Sequence, residues 1–194
     1  MTTVYFAPFP VRYRPLPGLL WPSPSREISM PVQHDFSAIP LLADAASRYP
    51  WQDCCSIALP PDAPAADAAG LLHAFSTAMP PWARALMSLR DRLVSPLGLK
   101  TAQPAAASSA EPFHVGQQLG VFRVLHLGEH VAVLGEDDRH LDFRVVLQWR
   151  PERLEVSTLV RTHNLLGRTY LAGVTPFHHA IVAASMRRMA GVLG

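Results

Sequence analysis

The chain has 194 residues, of which 49% are hydrophobic and 16% are charged, and its formal net charge is +2 at pH 7. This composition excludes a disordered chain, because it supplies enough apolar side chains for the core of a single domain. The small net charge does not indicate nucleic-acid binding, and no run of about 18 apolar residues predicts a membrane span.

The first 25 residues are rich in proline, with six in all. Such a stretch favours extended backbone, so residues 1–25 are predicted to form an N-terminal arm. It lacks the basic stretch and apolar core of a secretory signal, which predicts a cytoplasmic protein. Residues 26–194 are predicted to form a single domain, with a first strand over 26–32. Met30 is an alternative native start.

Two adjacent cysteines, Cys54 and Cys55, follow this strand. Neighbouring cysteines rarely reach unstrained disulfide geometry, and the chain contains no third cysteine. The pair is therefore predicted to stay reduced, which agrees with a cytoplasmic location.

Two short helices are predicted next. Asp62 is the expected cap of the first helix, which ends at Pro80, and Pro81 suits the first turn of the second. The second helix carries an apolar stripe that is predicted to be buried, made by Trp82, Leu86, Leu89 and Leu93. Residues 101–112 are small and of low complexity, and they are predicted to form a mobile loop.

The hydrophobic period changes to two after Gly120. Four antiparallel strands are predicted in succession, over 122–127, 130–134, 141–149 and 154–164. A terminal helix is predicted to begin at Thr175 and Pro176, and its buried side is expected to carry Phe177, Ile181, Ser185, Met189 and Val192.

Alternation along the last two strands predicts which side of the sheet faces this helix. The apolar rows should face inward, because an antiparallel sheet commonly buries one face and exposes the other. The inward rows are Leu141, Phe143, Val145, Leu147 and Trp149, and then Leu154, Val156, Thr158, Val160 and Thr162.

Three segments of this region resemble one uncharacterised bacterial family, domain of unknown function 2867. They are GEDDRHLDFR at 135–144, TLVRTHNLLGRTYL at 158–171 and PFHHAIV at 176–182. The family is similar in architecture to the helix-grip START-like and Bet v 1-like proteins. The resemblance spans roughly residues 30–192 and implies an α+β fold, in which a curved antiparallel sheet wraps a long C-terminal helix and two short helices follow the first strand. It implies no established activity.

A cavity between the sheet and the terminal helix would bind a hydrophobic small molecule or lipid, which is the leading functional hypothesis. No cofactor is predicted. The expected ligand-binding residues are Phe143, Trp149, Thr158, Thr162, Tyr170 and Phe177.

Two other functions remain open. The first is a cyclase- or hydrolase-like enzyme that uses His140, Asp142 and Arg144 as base, acid and anion clamp. It requires the polar row to face the cavity, whereas alternation favours ion pairs on the outer face. The second is an interaction protein with a filled core, which forms a homodimer through the arm.

Two polar clusters are weaker candidates for metal binding. Asp137 and Asp138 suit a cation, but a solvated hairpin bend explains them more simply. His178 and His179 have no partner at ligand spacing, so a metal site is not predicted.

Overall fold

The computed structural model of the protein describes residues 28–29, 36, 39–94 and 112–194. The predicted arm lies outside the described residues, as does the predicted loop apart from Pro112. The strands are β1 (Ile28–Ser29), β2 (Trp51–Ala58), β3 (Gln118–Leu119), β4 (Phe122–Leu127), β5 (Val131–Asp137), β6 (Leu141–Arg150) and β7 (Arg153–Thr162). The helices are α1 (Ala45–Arg48), α2 (Ala68–Ala78), α3 (Pro81–Val94) and α4 (Leu165–Leu193).

The described strands form one curved antiparallel sheet in the order β1-β2-β7-β6-β5-β4-β3. Strands β4 to β7 are the predicted meander, in which each strand pairs with the next one along the chain. Strand β2 extends the sheet beyond β7. The predicted fold class is confirmed: an α+β helix-grip arrangement in which the sheet packs against a long C-terminal helix.

The inner face of the sheet carries the main core. Leu147 of β6 and Leu154 of β7 are fully buried there, in one cluster with Leu71 of α2 and Met186 of α4. The predicted alternation is therefore correct in direction. Burial of this apolar surface is the principal force that holds α2 and α4 against the sheet.

The outer face is less exposed than alternation predicts. Leu42 and Tyr49, from the segment that precedes β2, pack over Val146 and Leu159 and form a second apolar cluster. Polar residues beneath and around this cover are buried as well: Arg144 is 6% exposed and Glu155 4%. The expectation of a fully solvated outer face is wrong for this part of the sheet.

Strand β2 has no counterpart among the sequence predictions. Its inward row contains Asp53, and its outward row contains Cys54, which belongs to the second apolar cluster. Both rows mix polar and apolar residues. The strand therefore lacks the alternation of apolar and polar residues that indicates a sheet with one solvent-exposed face.

Two helices begin at other residues than predicted. Asp67, not Asp62, caps α2, since its Oδ1 accepts a 2.8 Å hydrogen bond from the Gly70 amide. Asn164 caps α4 by accepting a bond from the Gly167 amide at 3.0 Å. Helix α4 therefore starts ten residues before Thr175, and Pro176 lies within it. The proline has no N–H to donate, so one hydrogen bond of the helix is not made there.

Several side chains predicted to be buried are half exposed. On α3, Trp82 is 49% exposed and Leu89 is 52% exposed. On α4, Phe177 and Val192 are each 54% exposed, whereas Ile181, Ser185 and Met189 face the sheet side as predicted. Phe177 is exposed because the inward stripe of α4 passes through Val174 and His178 before it reaches Ile181.

The first turn of α4 sits directly on the turn between β5 and β6. A Cβ built on Gly167 would collide with the backbone carbonyl of His140 and would lie 3.6 Å from Thr162. The same carbonyl accepts a 2.9 Å hydrogen bond from the His163 amide, so it is not free to move away. A glycine is therefore required where α4 crosses this turn.

We expect Gly167→Ala and Gly173→Ala to change stability in opposite directions. Both glycines lie in α4, but a Cβ at Gly173 meets nothing within 4 Å. Gly173→Ala should raise the free energy of unfolding by up to about 1 kcal/mol through helix propensity. Gly167→Ala should lower it by roughly 1–3 kcal/mol through overpacking. Urea unfolding of both variants measures this, and equal shifts of the same sign would refute the close contact.

Candidate functional site

A cavity of about 230 Å³ lies between the inner face of the sheet and α4. Phe143 and Val156 form part of its floor, Ile181 lies on the α4 side, and Phe75 and Met87 come from the two short helices. Helix α4 is held to the sheet by its first turn and by the buried residues near its C-terminus. The cavity occupies the stretch between these two contacts.

Three of the six predicted ligand-binding residues line this cavity: Phe143, Thr158 and Tyr170. The other three lie elsewhere. The Trp149 ring packs 5.1 Å from the ring of His130, Thr162 lies beneath Gly167, and Phe177 is exposed. Whether the three lining residues bind a ligand remains a prediction.

The cavity has a polar pole made by β2 and α4. His178 lines the cavity, and its Nε2 lies 2.8 Å from Oδ2 of Asp53 on the sheet. Both side chains are largely buried, with exposed fractions of 17% and 11%. Trp51, two residues before Asp53, places its ring edge-on to His178 at 5.4 Å. We call Trp51, Asp53 and His178 the polar pole.

The carboxyl of Asp53 is favoured in its ionised form. Burial raises its pKa, but the hydrogen bond and the charge of His178, with His179 nearby, outweigh burial and lower the pKa below its usual range. An ionised carboxylate can only accept hydrogen bonds, so Nε2 of His178 must carry the proton. The other nitrogen, Nδ1, is an acceptor when the ring is neutral and a donor when the ring is protonated.

Cys55 is the nearest thiol to the pole, with its Sγ 3.8 Å from Oδ1 of Asp53. It is fully buried, and burial and the adjacent Asp53 raise the pKa of the thiol far above its usual value. A thiol in this state is a poor nucleophile. Cys55 is therefore part of the core and not a catalytic residue.

Two acidic side chains, Glu136 and Asp138, also line the cavity. Glu136 follows Leu134 on the inner row of β5, and its carboxylate lies 3.5 Å from Nε of Arg123. Asp138 accepts a 3.3 Å hydrogen bond from the His140 amide. Among the described residues, no lysine or arginine lines the cavity, so the charged side chains that line it, apart from the histidine, are acidic.

The residues of the predicted enzyme site, His140, Asp142 and Arg144, do not line the cavity. Each makes a separate structural contact. His140 Nδ1 pairs with the amide of Asn164, Asp142 lies 2.9 Å from Nε2 of His163, and Arg144 Nη1 lies 2.6 Å from Asp137. The expected ion pairs around the outer row are present, and Glu155 adds another by contacting Arg150 at 2.9 Å.

Sequence reasoning missed Trp51 and Asp53. The sequence did contain one signal for Asp53. This residue shares an alternating row with Trp51, Cys55 and Ile57, and a carboxylate in such an inward row needs a buried partner. Its partner is 125 positions away, on α4. Only the pairing of β2 with β7 brings Asp53 opposite Thr158 and under His178.

Two kinds of feature are absent from the described part of the chain. No group of three or more histidine, cysteine, aspartate or glutamate side chains there is arranged to hold a metal ion. None of the helices described has the length and apolar character that crossing a bilayer requires.

A family model with the description "Protein of unknown function (DUF2867)" matches residues 45–185, which is more than half of the chain. The match includes the sheet from β2 to β7 and most of α4, and therefore the whole polar pole. No curated protein and no solved structure matches the chain.

The ionised Asp53 predicts a pH dependence of stability. Its pKa is lower in the folded protein than in the unfolded chain, so its contribution is present above the unfolded value, about 3.9, and is lost as the pH falls through the folded value. Between pH 7 and pH ~3, the free energy of unfolding should fall more in the wild-type protein than in Asp53→Asn.

The matched control for this measurement is Asp62→Asn, which changes an exposed carboxylate in the turn before α2. This variant should lose stability in parallel with the wild-type protein. Urea unfolding at a series of pH values gives the three curves. Parallel curves for wild type and Asp53→Asn would show that the pair with His178 contributes nothing.

Proposed function

The chain belongs to the DUF2867 family of unknown function, and we propose that it binds a small hydrophobic molecule in the cavity between the sheet and α4. The observation that carries this proposal is the cavity of about 230 Å³ with a predominantly apolar lining and a single buried histidine–carboxylate pole. Ligand sites are typically apolar with a few placed polar groups of this kind.

The volume limits the size of the molecule. An engineered apolar cavity of about 150 Å³ is enough to hold benzene, whereas pockets for drug-sized ligands have about 300–1,000 Å³. A cavity of 230 Å³ lies between these values. It therefore suits a molecule of one or two rings, or a short aliphatic chain, better than a full-length lipid.

The competing functions have less support. A cyclase- or hydrolase-like mechanism through His140, Asp142 and Arg144 lacks a substrate site, because those side chains do not line the cavity. An interaction protein with a filled core is disfavoured by the cavity itself. Its homodimer through residues 1–25 remains a prediction, since that arm lies outside the described residues.

A cavity-filling substitution tests the proposal. Naphthalene has two rings and no polar group, and the wild-type chain should bind it one-to-one in equilibrium dialysis. Val174 on α4 lines the cavity, so Val174→Trp should reduce binding by about tenfold or more by occupying that space. Leu165→Trp is the control, because Leu165 lies on the same helix and is 73% exposed.

Equal binding by wild type and Val174→Trp, or no saturable binding at all, would contradict the proposal. Native mass spectrometry of the full chain purified from its host is a second, independent test, in which denaturation releases any adduct for identification. We expect a single apolar adduct on the wild-type protein that is depleted in Val174→Trp and retained in Leu165→Trp.

A further inference from the structure

The polar groups around the cavity limit the chemistry of the ligand's polar end. We propose that the cavity selects an apolar molecule whose polar end donates a hydrogen bond, a hydroxyl or an amine, and that it rejects the carboxylate of the same skeleton. This inference rests on the proposed function and specifies its ligand class.

The first argument concerns the two nitrogens of His178. Nε2 is used by Asp53 at 2.8 Å, and it must carry the proton because the carboxylate is ionised. Within the described part of the chain, Nδ1 makes no hydrogen bond. Nδ1 accepts in the neutral ring and donates in the protonated ring, and a ligand hydroxyl can pair with it in both cases because it donates and accepts. A group that can only accept, such as an ether, pairs with Nδ1 only in the protonated ring.

The second argument concerns charge. A protonated His178 would not attract an anion strongly, because Asp53 already balances its positive charge at this distance. The other charged groups of the lining, Glu136 and Asp138, are acidic. A ligand carboxylate would therefore lose its water and meet no free cation among the described lining residues, which is costly in an apolar site.

The hydroxyls of the lining do not change this result. The Thr175 hydroxyl already donates to the Leu171 carbonyl at 2.7 Å. Thr158 and Ser185 can each donate one hydrogen bond, but a hydroxyl carries no charge to replace the water around a carboxylate. A neutral head group satisfies the same hydroxyls at a far smaller desolvation cost.

Three naphthalene derivatives of nearly equal size test this selectivity on the wild-type chain at pH 7, where a phenol is uncharged. They are 2-naphthol, which donates; 2-methoxynaphthalene, which only accepts; and 2-naphthoate, which is anionic. We expect 2-naphthol to bind roughly three- to tenfold more tightly than the ether. The naphthoate should bind at least about tenfold more weakly than 2-naphthol.

Two histidines provide matched variants. His178→Phe keeps an aromatic ring but removes the hydrogen-bonding nitrogen, so it should bind 2-naphthol and the ether equally. His73→Phe is the control, because His73 is exposed on α2 and does not line the cavity, and it should keep the wild-type preference. If His178→Phe does not fold with Asp53 unpaired, the double variant Asp53→Asn/His178→Phe removes the buried charge together with its partner.

The outcomes separate the two proposals. Naphthoate binding as tightly as naphthol, or no difference between naphthol and the ether, overturns the selectivity while leaving hydrophobic binding intact. A preference for naphthol that persists in His178→Phe overturns the role of His178. Failure of naphthalene itself to bind overturns the proposed function instead.

Discussion

Helix α4 is fastened to the sheet at its two ends, and the space between depends on both attachments. At one end Asn164 caps the helix and Gly167 lets its first turn rest on the carbonyl of His140. At the other end Met186 and Met189 are fully buried with Leu71 of α2. Because the 29-residue helix is stiff, it spans the concave face of the sheet without following its curvature. Side chains from both surfaces fill this span only in part, and the cavity remains.

The pairing of Asp53 with His178 lies within the same span and has two consequences. A carboxylate in an apolar row is tolerated only with a partner, so the pair ties β2 to the middle of α4. Replacing both residues by apolar ones of similar volume is often neutral or stabilising in other proteins. If the Asp53–His178 pair only connected β2 to α4, two apolar side chains could therefore replace it. Because this pair also borders a cavity, it offers a ligand a hydrogen-bonding nitrogen, Nδ1 of His178, which an apolar replacement would lack.

Strands β4 to β7 could be predicted from the sequence, whereas strand β2 could not. Strands β4 to β7 were predictable because their inward row is apolar and their turns are short, as in Leu141 to Trp149. Strand β2 has no such alternation, because the apolar Cys54 is covered on the outer face and the charged Asp53 is paired on the inner face. The start of α4 was missed because Pro176 is a stronger local signal than the Asn164 cap. Strand alternation also explains why Phe143 and Thr158, two of the predicted ligand-binding residues, line the cavity, whereas the position of Phe177 depended on which face of α4 packs on the sheet.

Alternation predicts the direction of a side chain, but not what covers it. On the outer face, Arg144 lies 5.7 Å from the ring of Tyr49 and is almost fully buried, although its row was expected to be wet. The cover comes from a segment with no periodic pattern, Leu42 to Tyr49. On the inner face, the cover is α4, whose early start moves Tyr170 and Val174 over the sheet. Some polar atoms of the described sheet stay without a hydrogen-bond partner on either face. Nη1 of Arg144 pairs with Asp137, but its Nε is buried without a partner, as is Nε1 of Trp149. His178, which pairs with Asp53 through Nε2, differs from both because it lines the cavity, and this is the strongest reason to look for a ligand there.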